Sequence, residues 1–408
     1  MSFDRRAFEA KGYLVVPGFV DLHTHLREPG FEDSETIETG RRAALRGGFT
    51  TICAMPNTEP AIDSPGLLKE LLGRGYGVKG ARVHFVAAIT RGRKGRELAD
   101  MVELADAGAV AFSDDGSPVE DARLFRSALE YARASGRPII EHAQDLALSA
   151  KGVMHEGAVS ARLGLPGMPA AAEEAAVARD LALAKLAGAR LHLTHLSTAG
   201  SVELVRRAKA DGALVTCDVT PHHLAMTDEW VAGSRAFAWE TEERAPRGAP
   251  YDSSTKVNPP LRTGADVRAL WAGLEDRTVD AIATDHAPHA SVKKDVEFDQ
   301  AAFGISGLET ALALVLGGVR VGWASLETVI DALTTGPARA LGIDRPNGDW
   351  VVIDRDAEWM PRADELASKG KNTPLIGRRM IGRVVATVVL GEVRYQGGMR
   401  AAEAISRS

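Results

Sequence analysis

The sequence predicts an α/β fold of the (β/α)8 barrel type, and three observations support that prediction. Eight short apolar segments alternate with helix-like segments through the N-terminal and central parts of the 408-residue chain. Their near-continuous apolar character is typical of parallel strands that are buried on both faces. Eight such units fit the size of a closed barrel. A doubly wound open sheet is the alternative, because hydrophobic periodicity does not distinguish the two.

The barrel elements follow one another in a regular order. The strands are predicted within "YLVVPGFVDL", "FTTICAMP", "VHFVAAI", "AVAFSDD", "PIIEHA", "RLHLTHLS", "ALVTCDVTPHHL" and "DAIATDHAPH". The helices are predicted within "TIETGRRAALRGG", "GLLKELLG", "GRELADMVELADAG", "ARLFRSALEYARASG", "AAEEAAVARDLALAKLAG", "SVELVRRAKADG" and "VRALWAGLE". In the third helix, for example, Met101 and Leu104 are three residues apart and share an apolar face.

The C-terminal part of the chain has a different pattern. The segments "DWVVIDRD" and "GRRMIGRVVATVVLGEVRYQG" are strand-like, with no helix between them. They cannot extend a parallel barrel, so we expect a small β subdomain there. The predicted division is a remnant of that subdomain at residues 1–16, the barrel at residues 17–345 and the rest of the subdomain at residues 346–408.

Composition argues against several classes of protein. The formal net charge of −6 predicts no nucleic-acid partner, since that would require a basic face. No apolar run approaches the ~18 residues that span a bilayer, so no membrane association is expected. The N-terminus "MSFDRRAFEAKG" lacks the apolar segment of a signal peptide. Two cysteines, Cys53 and Cys217, cannot form a disulfide framework, and we expect both to be buried in a cytoplasmic protein.

Histidines and aspartates stand at the ends of the predicted strands. They are His23 and His25 after strand 1, Asp114 and Asp115 after strand 4, His142 after strand 5, His195 after strand 6 and Asp285 after strand 8. Barrel enzymes carry their chemistry at this end of the strands. In "HTH" both imidazoles can face the barrel axis, because alternate strand residues point the same way. An isolated pair of this kind is more often structural, but imidazoles together with carboxylates predict a site for Zn²⁺ or a similar ion.

A bridging ligand is also expected at strand 4. Metal-dependent hydrolases of this barrel type often bridge two ions with a carbamylated lysine from that strand. No lysine occurs between Lys94 and Lys151. A carboxylate must therefore do any bridging, and spacing alone does not choose between Asp114 and Asp115.

Several motifs together resemble dihydroorotase of the bacterial type I kind, within the amidohydrolase superfamily. They are "GFVDLHTHLREPG", "TTICAMPNTEP", "AFSDDG", "EHAQD", "LTHLST", "TPHHLAMTDE", "KVNPPLR" and "AIATDHAPH". The similarity runs from about Leu14 to the C-terminus. It implies reversible cyclisation of N-carbamoyl-L-aspartate to (S)-dihydroorotate in pyrimidine (UMP) biosynthesis.

The resemblance implies a role for each matching metal ligand. His23 and His25 would hold one ion. His142 and His195 would hold a second ion. The family's spacing favours Asp115 as the bridging carboxylate. The implied cofactor is Zn²⁺, with one or two ions per subunit.

The resemblance also implies the remaining site residues. Asp285 would be both a metal ligand and the catalytic acid/base. The implied substrate-binding residues are His25, Arg27, Asn57, Asn258, His289, Phe303 and Gly304. The residue chemistry agrees, since the planar guanidinium of Arg27 suits the carboxylate of the substrate. The polar loop at residues 287–304 is a candidate lid.

Other residues have structural interpretations. His192 is an odd step from His195, so we expect it to pack between strand and helix. His222 and His223 are expected to be structural, and His286 is a candidate for orienting Asp285. The helix start "AAAEEAAVARD" is expected to be a solvated acidic face.

The match departs from the family pattern at the N-terminus. Family members usually begin with a further segment that supplies strands of the small subdomain. We therefore expect an open edge around residues 384–395, with reduced stability or an oligomer contact there.

Two alternative functions and two associations accompany this interpretation. A hydantoinase or allantoinase is the nearest alternative, but those relatives typically need the bridging lysine and lack an arginine at the position of Arg27. A non-catalytic scaffold subunit is a second alternative, although such relatives usually lose metal ligands. A homo-oligomer is expected, and the resemblance permits a complex with aspartate transcarbamoylase.

Overall fold

The computed structural model describes residues 3–75 and 80–397. The strands are β1 Leu14–Pro17, β2 Phe19–Thr24, β3 Phe49–Ala54, β4 Arg82–Phe85, β5 Ile139–Glu141, β6 Met154–His155, β7 Gly167–Met168, β8 Leu191–Leu193, β9 Val215–Val219, β10 Ala281–Ile282, β11 Trp350–Trp359, β12 Met380–Val389 and β13 Glu392–Gln396. The helices are α1 Arg5–Ala10, α2 Ile37–Gly47, α3 Pro65–Gly75, α4 Met101–Ala107, α5 Ala122–Ser135, α6 Leu146–Ser149, α7 Ala158–Leu163, α8 Ala170–Ala187, α9 Ala199–Ala210, α10 Pro221–Ala225, α11 Gly264–Glu275, α12 Ala311–Arg320, α13 Leu326–Leu333 and α14 Thr335–Leu341.

The parallel strands close into a barrel. One sheet has the order β2-β3-β4 and another the order β10-β9-β8-β5. Phe112 joins them on one side, since it forms parallel bridges with both Ala87 and Ile139. On the other side, Thr24 forms a parallel bridge with His286. The strand predicted in "AVAFSDD" is therefore present mainly as the bridge at Phe112, and the second closure excludes an open doubly wound sheet.

The two faces of the barrel strands have different neighbours. Ile52 of β3 belongs to the large core cluster that includes Leu45 of α2. The next residue, Cys53, packs with Val20 and Leu22 of β2. Alternation of this kind places one set of side chains under the helices and the other set inside the barrel. Both cysteines are buried and free.

The small β subdomain is an antiparallel sheet of order β1-β11-β12-β13. The N-terminal strand β1 pairs with β11, where Leu14 faces Ile353. Within the described residues β12 is paired on both sides, so the open edges are β1 and β13 rather than the whole region around residues 384–395. The predicted division at residues 16 and 345 remains a prediction, and residues 398–408 lie outside the described part.

Some elements differ from the sequence-based expectations. Helices α12 to α14 and the short ribbon formed by β6 and β7 were not among the predicted elements. Glu173, in the helix start expected to be solvated, is only 3% exposed. Its carboxylate accepts hydrogen bonds from Ser197 N at 3.0 Å and Thr198 N at 3.1 Å. None of the helices in the described residues has the length and hydropathy needed to cross a bilayer.

The contact between α11 and α12 gives a stability prediction. A Cβ atom at Gly318 would lie 2.1 Å from Cζ2 of the buried Trp271. We expect Gly318→Ala to lower the free energy of unfolding by about 1–3 kcal/mol, because the indole ring must shift. Gly73→Ala is the matched control, since Gly73 is also helical and no atom of the described residues lies within 4 Å of a Cβ position there. It should stabilise the protein by about 0.5–1 kcal/mol. Urea unfolding measures both, and equal stability of Gly318→Ala and the unsubstituted protein would contradict the packing argument.

Candidate active site

Histidines and carboxylates from distant parts of the chain meet at the C-terminal rim of the barrel. The ring centroid of His23 lies 5.0 Å from that of His25 and 5.1 Å from that of His195. The rings of His142 and His195 are 4.6 Å apart. All four histidines are at least 95% buried. The structure thus gathers the histidines of strands 1, 5 and 6 that were expected to converge.

Asp115 lies among these four imidazoles. Its Oδ1 atom is 3.4 Å from His23 Nε2, and its Oδ2 atom is 3.7 Å from His25 Nε2. Oδ1 is also 3.7 Å from His142 Nδ1 and 3.8 Å from His195 Nε2. One carboxylate therefore faces all four rings, which is the position that a bridging ligand requires.

Asp114 has a different environment. Its Oδ1 atom accepts hydrogen bonds from Ile89 N at 2.8 Å and Thr90 N at 3.1 Å, and the hydroxyl of Thr90 donates to Oδ2. These bonds tie the end of the fourth barrel strand to the loop after the third. Of the two aspartates that spacing left open, only Asp115 faces the histidines.

Asp285 completes the cluster from the last barrel strand. Its Oδ1 atom lies 2.9 Å from His25 Nε2 and 3.6 Å from His23 Nε2. The side chain is only 9% exposed. Asp285 and Asp115 therefore approach the same pair of histidines from different strands.

Two imidazoles have amide oxygens on their outer sides. His25 Nδ1 donates to Asn57 Oδ1 at 2.9 Å, and His142 Nε2 donates to Gln144 Oε1 at 2.7 Å. An amide oxygen can only accept, so the outer nitrogen of each ring carries the proton. The inner nitrogen, His25 Nε2 or His142 Nδ1, is left with a lone pair directed at the cluster.

The buried carboxylate of Asp218 supports His195 directly and His23 through Thr194. Asp218 Oδ1 accepts from His195 N at 2.7 Å, and Oδ2 accepts from Thr194 Oγ1 at 3.1 Å and from His192 Nε2 at 2.8 Å. Since the Thr194 hydroxyl donates to Asp218, it accepts the proton of His23 Nδ1 at 2.8 Å. His23 Nε2 is thereby the nitrogen that faces the cluster, where it can offer a lone pair to a cation that displaces its proton.

The residues fit a divalent cation. His23 Nε2 is buried and has no hydrogen-bond partner among residues 3–75 and 80–397. His142 Nδ1 and His195 Nε2 face each other at 3.0 Å. Two overlapping sets have ligand atoms within 4.8 Å of one another: His23, His25 and Asp285, and His23, Asp115 and His195. Neutral imidazoles and carboxylates directed at one point are a donor set for Zn²⁺ and similar ions.

The charges of the cluster favour a bound cation. Burial lowers the pKa of His23, but Asp115 and Asp285 outweigh burial and raise that pKa to about 9. Burial raises the pKa of Asp285, yet the hydrogen bond to His25 and the charge of His23 hold it below its ordinary value. The pKa of Asp115 is likewise held well below its usual range, by His23 and His142 against burial. The carboxylates stay ionised, and a metal ion competes with protons for the imidazoles.

Three site residues have left-handed backbone conformations. The φ angles are 62° at Arg27, 42° at His195 and 45° at Asp285. Such conformations cost about 1–3 kcal/mol each in residues other than glycine, and they concentrate at functional sites. The backbone at this rim is therefore held in place by its surroundings rather than by local preference.

A cavity of about 220 Å³ opens above the cluster. Its walls are His25, Arg27, Asn57, Asp115, Gly116, His142, His195, Asn258, Asp285, Ala287, His289, Phe303 and Gly304. Every site residue expected from the sequence is in this wall except His23, which lies beneath it. Gly116 and Ala287 are wall residues that were not expected.

Arg27 and His289 form one side of the cavity. Arg27 Nε donates to Pro288 O at 3.2 Å, and Arg27 Nη2 lies 3.4 Å from His289 Nε2. His289 Nε2 donates to Phe303 O at 2.7 Å. Burial lowers the pKa of Arg27 to about 10, and burial together with Arg27 lowers the pKa of His289 to about 3. At neutral pH this wall therefore presents one positive charge, on Arg27.

Asn258 and Gly304 meet the cavity in different ways. Asn258 Nδ2 donates to Gln144 Oε1 at 2.8 Å, while Asn258 Oδ1 is buried and has no hydrogen-bond partner in the described part of the chain. Gly304 has a φ of 136°, and a Cβ atom there would lie 2.6 Å from Ala287 Cβ. Asn258 thus offers an unused acceptor, and only glycine fits at position 304.

Comparison with known proteins identifies the family. A model described as Dihydro-orotase-like matches residues 12–201. The dihydroorotase of Anaeromyxobacter sp. (strain K) is 51% identical over 97% of this chain and 89% of its own length. The dihydroorotase of Geobacter sp. (strain M21) is 48% identical over 96% of this chain and 90% of its own length. The chain belongs to the dihydroorotase family.

Solved structures agree with the barrel fold. L-hydantoinase from Arthrobacter aurescens superposes with a TM-score of 0.81 at 26% identity, over 96% of this chain and 87% of that one. Dihydropyrimidinase from Brevibacillus agri, at 22% identity and a TM-score of 0.75 over 94% of this chain and 85% of that one, shows the fold alone. The predicted family, barrel fold and cyclic amide hydrolase class are confirmed, and the relatives support the predicted dihydroorotase function.

Two further histidines of this dihydroorotase-family chain, His286 and His192, form contacts outside the cluster. His286 Nε2 lies 3.3 Å from Glu35 Oε2, so its ring faces Glu35 rather than the side chain of Asp285. His192, which was expected to pack between strand and helix, is fully buried, and its ring forms hydrogen bonds with Thr216 and Asp218 of β9.

Some residues of the site were missed from the sequence. Asp218 and Gln144 both hold ligand-type histidines, and neither was predicted. The signal for Asp218 was present, because an acidic residue inside the apolar segment "ALVTCDVT" must find buried partners. Gln144 had no comparable signal, since a polar residue after a strand is ordinary in a loop.

The two aspartates of "SDDG" allow a matched test of metal binding. We expect Asp115→Asn to lose most of its bound metal, because the central negative charge is removed. Asp114→Asn should keep its metal but lose about 1–3 kcal/mol of stability, because backbone amides lose their charged acceptor. Metal content by mass spectrometry and urea unfolding separate the two effects. Full metal content in Asp115→Asn would rule out the bridging position.

Proposed function

We propose that the cavity interconverts N-carbamoyl-L-aspartate and (S)-dihydroorotate, with each expected site residue in its expected role. The main structural support is the placement of one guanidinium, Arg27, in the wall of a cavity whose floor holds Asp115 and Asp285. Both substrates carry a carboxylate, which a guanidinium binds in a bidentate manner. The reacting amide would then lie over the carboxylate and imidazole cluster.

The substrate would be oriented by groups on the cavity wall. Arg27 and His289 would face its carboxylate, and the unused acceptor Asn258 Oδ1 would accept an N–H from the ring. Phe303 and Gly304 would contact it from the loop after the last barrel strand, and His25 and Asn57 would lie beside the reacting carbonyl. A substrate held in this way needs little further ordering to react.

The proposed cofactor is Zn²⁺, as one or two ions. His23 and His25 would hold one ion, His142 and His195 a second, with Asp115 between them and Asp285 as a further ligand. A bound divalent cation lowers the pKa of water to about 7 and polarises a carbonyl.

Asp285 is proposed to carry the proton. In hydrolysis, water adds to the ring amide carbonyl and the Asp285 carboxylate takes a proton from that water. The same proton passes to the ring nitrogen as the C–N bond breaks. In cyclisation, the ureido nitrogen attacks the side-chain carboxyl and Asp285 takes the proton of that nitrogen. Asp285 then passes this proton to the departing hydroxyl, which leaves as water.

A hydantoinase is the second candidate, because the hydantoinase from Arthrobacter aurescens is similar in fold over nearly the whole chain. The expectation that hydantoinases need a bridging lysine counts against it, since Asp115 stands at the centre of this cluster.

The proposed assembly is a homo-oligomer in the cytoplasm, with aspartate transcarbamoylase as a candidate partner.

Substitution of Asp285 tests the chemistry. We expect Asp285→Asn to fold normally and to lose about 10²–10⁴-fold in kcat, because the amide cannot transfer the proton. Turnover of dihydroorotate, hydantoin and allantoin by the unsubstituted protein is measured alongside. Preference of the unsubstituted protein for hydantoin would favour the second candidate. Near-normal kcat in Asp285→Asn would exclude Asp285 as the acid/base.

Removal of the metal tests the cofactor. Treatment with a chelator should abolish turnover of dihydroorotate, and added Zn²⁺ should restore it, because the cluster provides the ligands. Circular dichroism before and after treatment controls for unfolding. Equal turnover by treated and untreated protein would overturn the metal requirement.

A further inference from the structure

The loop between β10 and α12 is tied together at both ends by one side chain. Asn372, between β11 and β12, is 6% exposed. Its Oδ1 atom accepts from His289 N at 2.8 Å and lies 3.2 Å from Ser306 Oγ, whose single proton is nearer to Gly370 O. Its Nδ2 atom donates to Ala287 O at 3.0 Å and Gly304 O at 2.9 Å. Both donors of the amide and one acceptor position of its oxygen are therefore used.

These contacts require an amide in one orientation. Exchange of the oxygen and nitrogen would place Oδ1 against two carbonyl oxygens, at Ala287 and Gly304. It would also place the NH₂ group against the amide N–H of His289. A carboxylate at position 372 would keep the acceptor for His289 and lose both donors. The site is therefore selective for asparagine over its isosteric acid.

The segment that carries Asn372 lies directly against the loop. A Cβ atom on Gly370 would lie 2.6 Å from His289 N and 2.7 Å from Pro288 Cβ. Ser306 Oγ donates to Gly370 O at 2.8 Å. The two backbones therefore touch, and a shift in the segment would move the loop.

The loop transmits this contact to the cavity wall. Pro288 O accepts from Arg27 Nε at 3.2 Å. Pro288 lies between Ala287 and His289, and Asn372 forms hydrogen bonds with both of these neighbours. His289 stands beside the same guanidinium. Asn372 itself is not part of the cavity wall.

We propose that Asn372 is a positioning residue for the substrate carboxylate. It holds the main chain at residues 287–289 and at Gly304, so that Arg27 and His289 face the cavity in a fixed geometry. This inference rests on the proposed function, and it assigns a residue of the C-terminal segment to substrate binding.

Kinetics of two variants test the proposal. We expect Asn372→Ala and Asn372→Asp to raise KM for dihydroorotate about 10–100-fold, because small misplacements of a binding group are costly. The value of kcat should change much less, because the carboxylate contact binds the substrate and the transition state equally. Asn372→Asp keeps the side-chain shape, so it can still be measured if Asn372→Ala fails to fold.

Glu309→Gln is the matched control. Glu309 anchors the same segment at its other end, accepting from Ala367 N at 2.8 Å and Ser368 N at 3.1 Å. In the described residues, none of the hydrogen bonds or ion pairs of Glu309 involves Arg27 or His289 of the cavity wall. We expect the KM of Glu309→Gln for dihydroorotate to stay near that of the unsubstituted protein. An equal rise in KM for Glu309→Gln would show that docking of the segment suffices, and would overturn the proposal.

A double-mutant cycle with Arg27→Met tests the route. If Asn372 acts through the guanidinium, Asn372→Ala should raise KM little further in the Arg27→Met background. Independent, multiplicative effects on KM would overturn this route. Unchanged KM in both Asn372 variants would overturn the proposal altogether.

Limited proteolysis separates this proposal from the proposed function. We expect faster cleavage within residues 291–300 in Asn372→Ala and Asn372→Asp than in Glu309→Gln, with no substrate present. If the unsubstituted protein fails to turn over dihydroorotate but cleavage still shifts, the function fails and the positioning contact stands. If it turns over dihydroorotate and neither KM nor cleavage shifts, the role of Asn372 fails alone.

Discussion

The pairing of the first barrel strand with the last is the constraint on which the site depends. His25 N donates to His286 O at 2.8 Å across this junction. The buried carboxylate of Asp21 accepts from Thr284 N at 3.0 Å and from the Thr284 hydroxyl at 2.5 Å. These residues are 263 positions apart in the chain. Closing so long a loop costs conformational entropy, which the barrel as a whole offsets. Only in the closed barrel does Asp285 lie beside His25.

The outer hydrogen bonds of the imidazoles make the cluster chemically specific. An amide oxygen, or a hydroxyl that is itself donating, fixes the proton on the outer nitrogen of each ring that it touches. The inner lone pairs are then available together, which neither isolated histidines nor histidines of mixed tautomer would offer. Loss of such an outer partner typically weakens metal binding by about 10–100-fold. Asp218 and Gln144 therefore support the candidate site through its histidines, although neither faces the cluster.

The sequence was sufficient for the barrel and for the ligand-type residues, because strand ends in a parallel barrel must converge. It could not separate Asp114 from Asp115, since adjacent residues differ only in the direction of their side chains. The family resemblance favoured Asp115, and the hydrogen bonds of Asp114 to Ile89 and Thr90 give the physical reason. Glu173 was misjudged because a glutamate near a helix start is usually solvated, whereas here it binds the backbone of the next strand's loop. Asn372 had no sequence signal, as its partners lie more than 60 positions away.

The C-terminal segment joins the rim of the barrel at a second buried group. Glu35 is fully buried and accepts from Ser368 Oγ at 2.6 Å, from Lys369 N at 3.1 Å and from His286 Nε2 at 3.3 Å. A buried carboxylate is tolerated only when such partners compensate its charge. Because His286 follows Asp285 directly, this junction connects the chain between β11 and β12 to the end of the last barrel strand. The segment beside the small β subdomain thus supports the floor of the cavity through Glu35 and its wall through Asn372, without contributing a metal ligand.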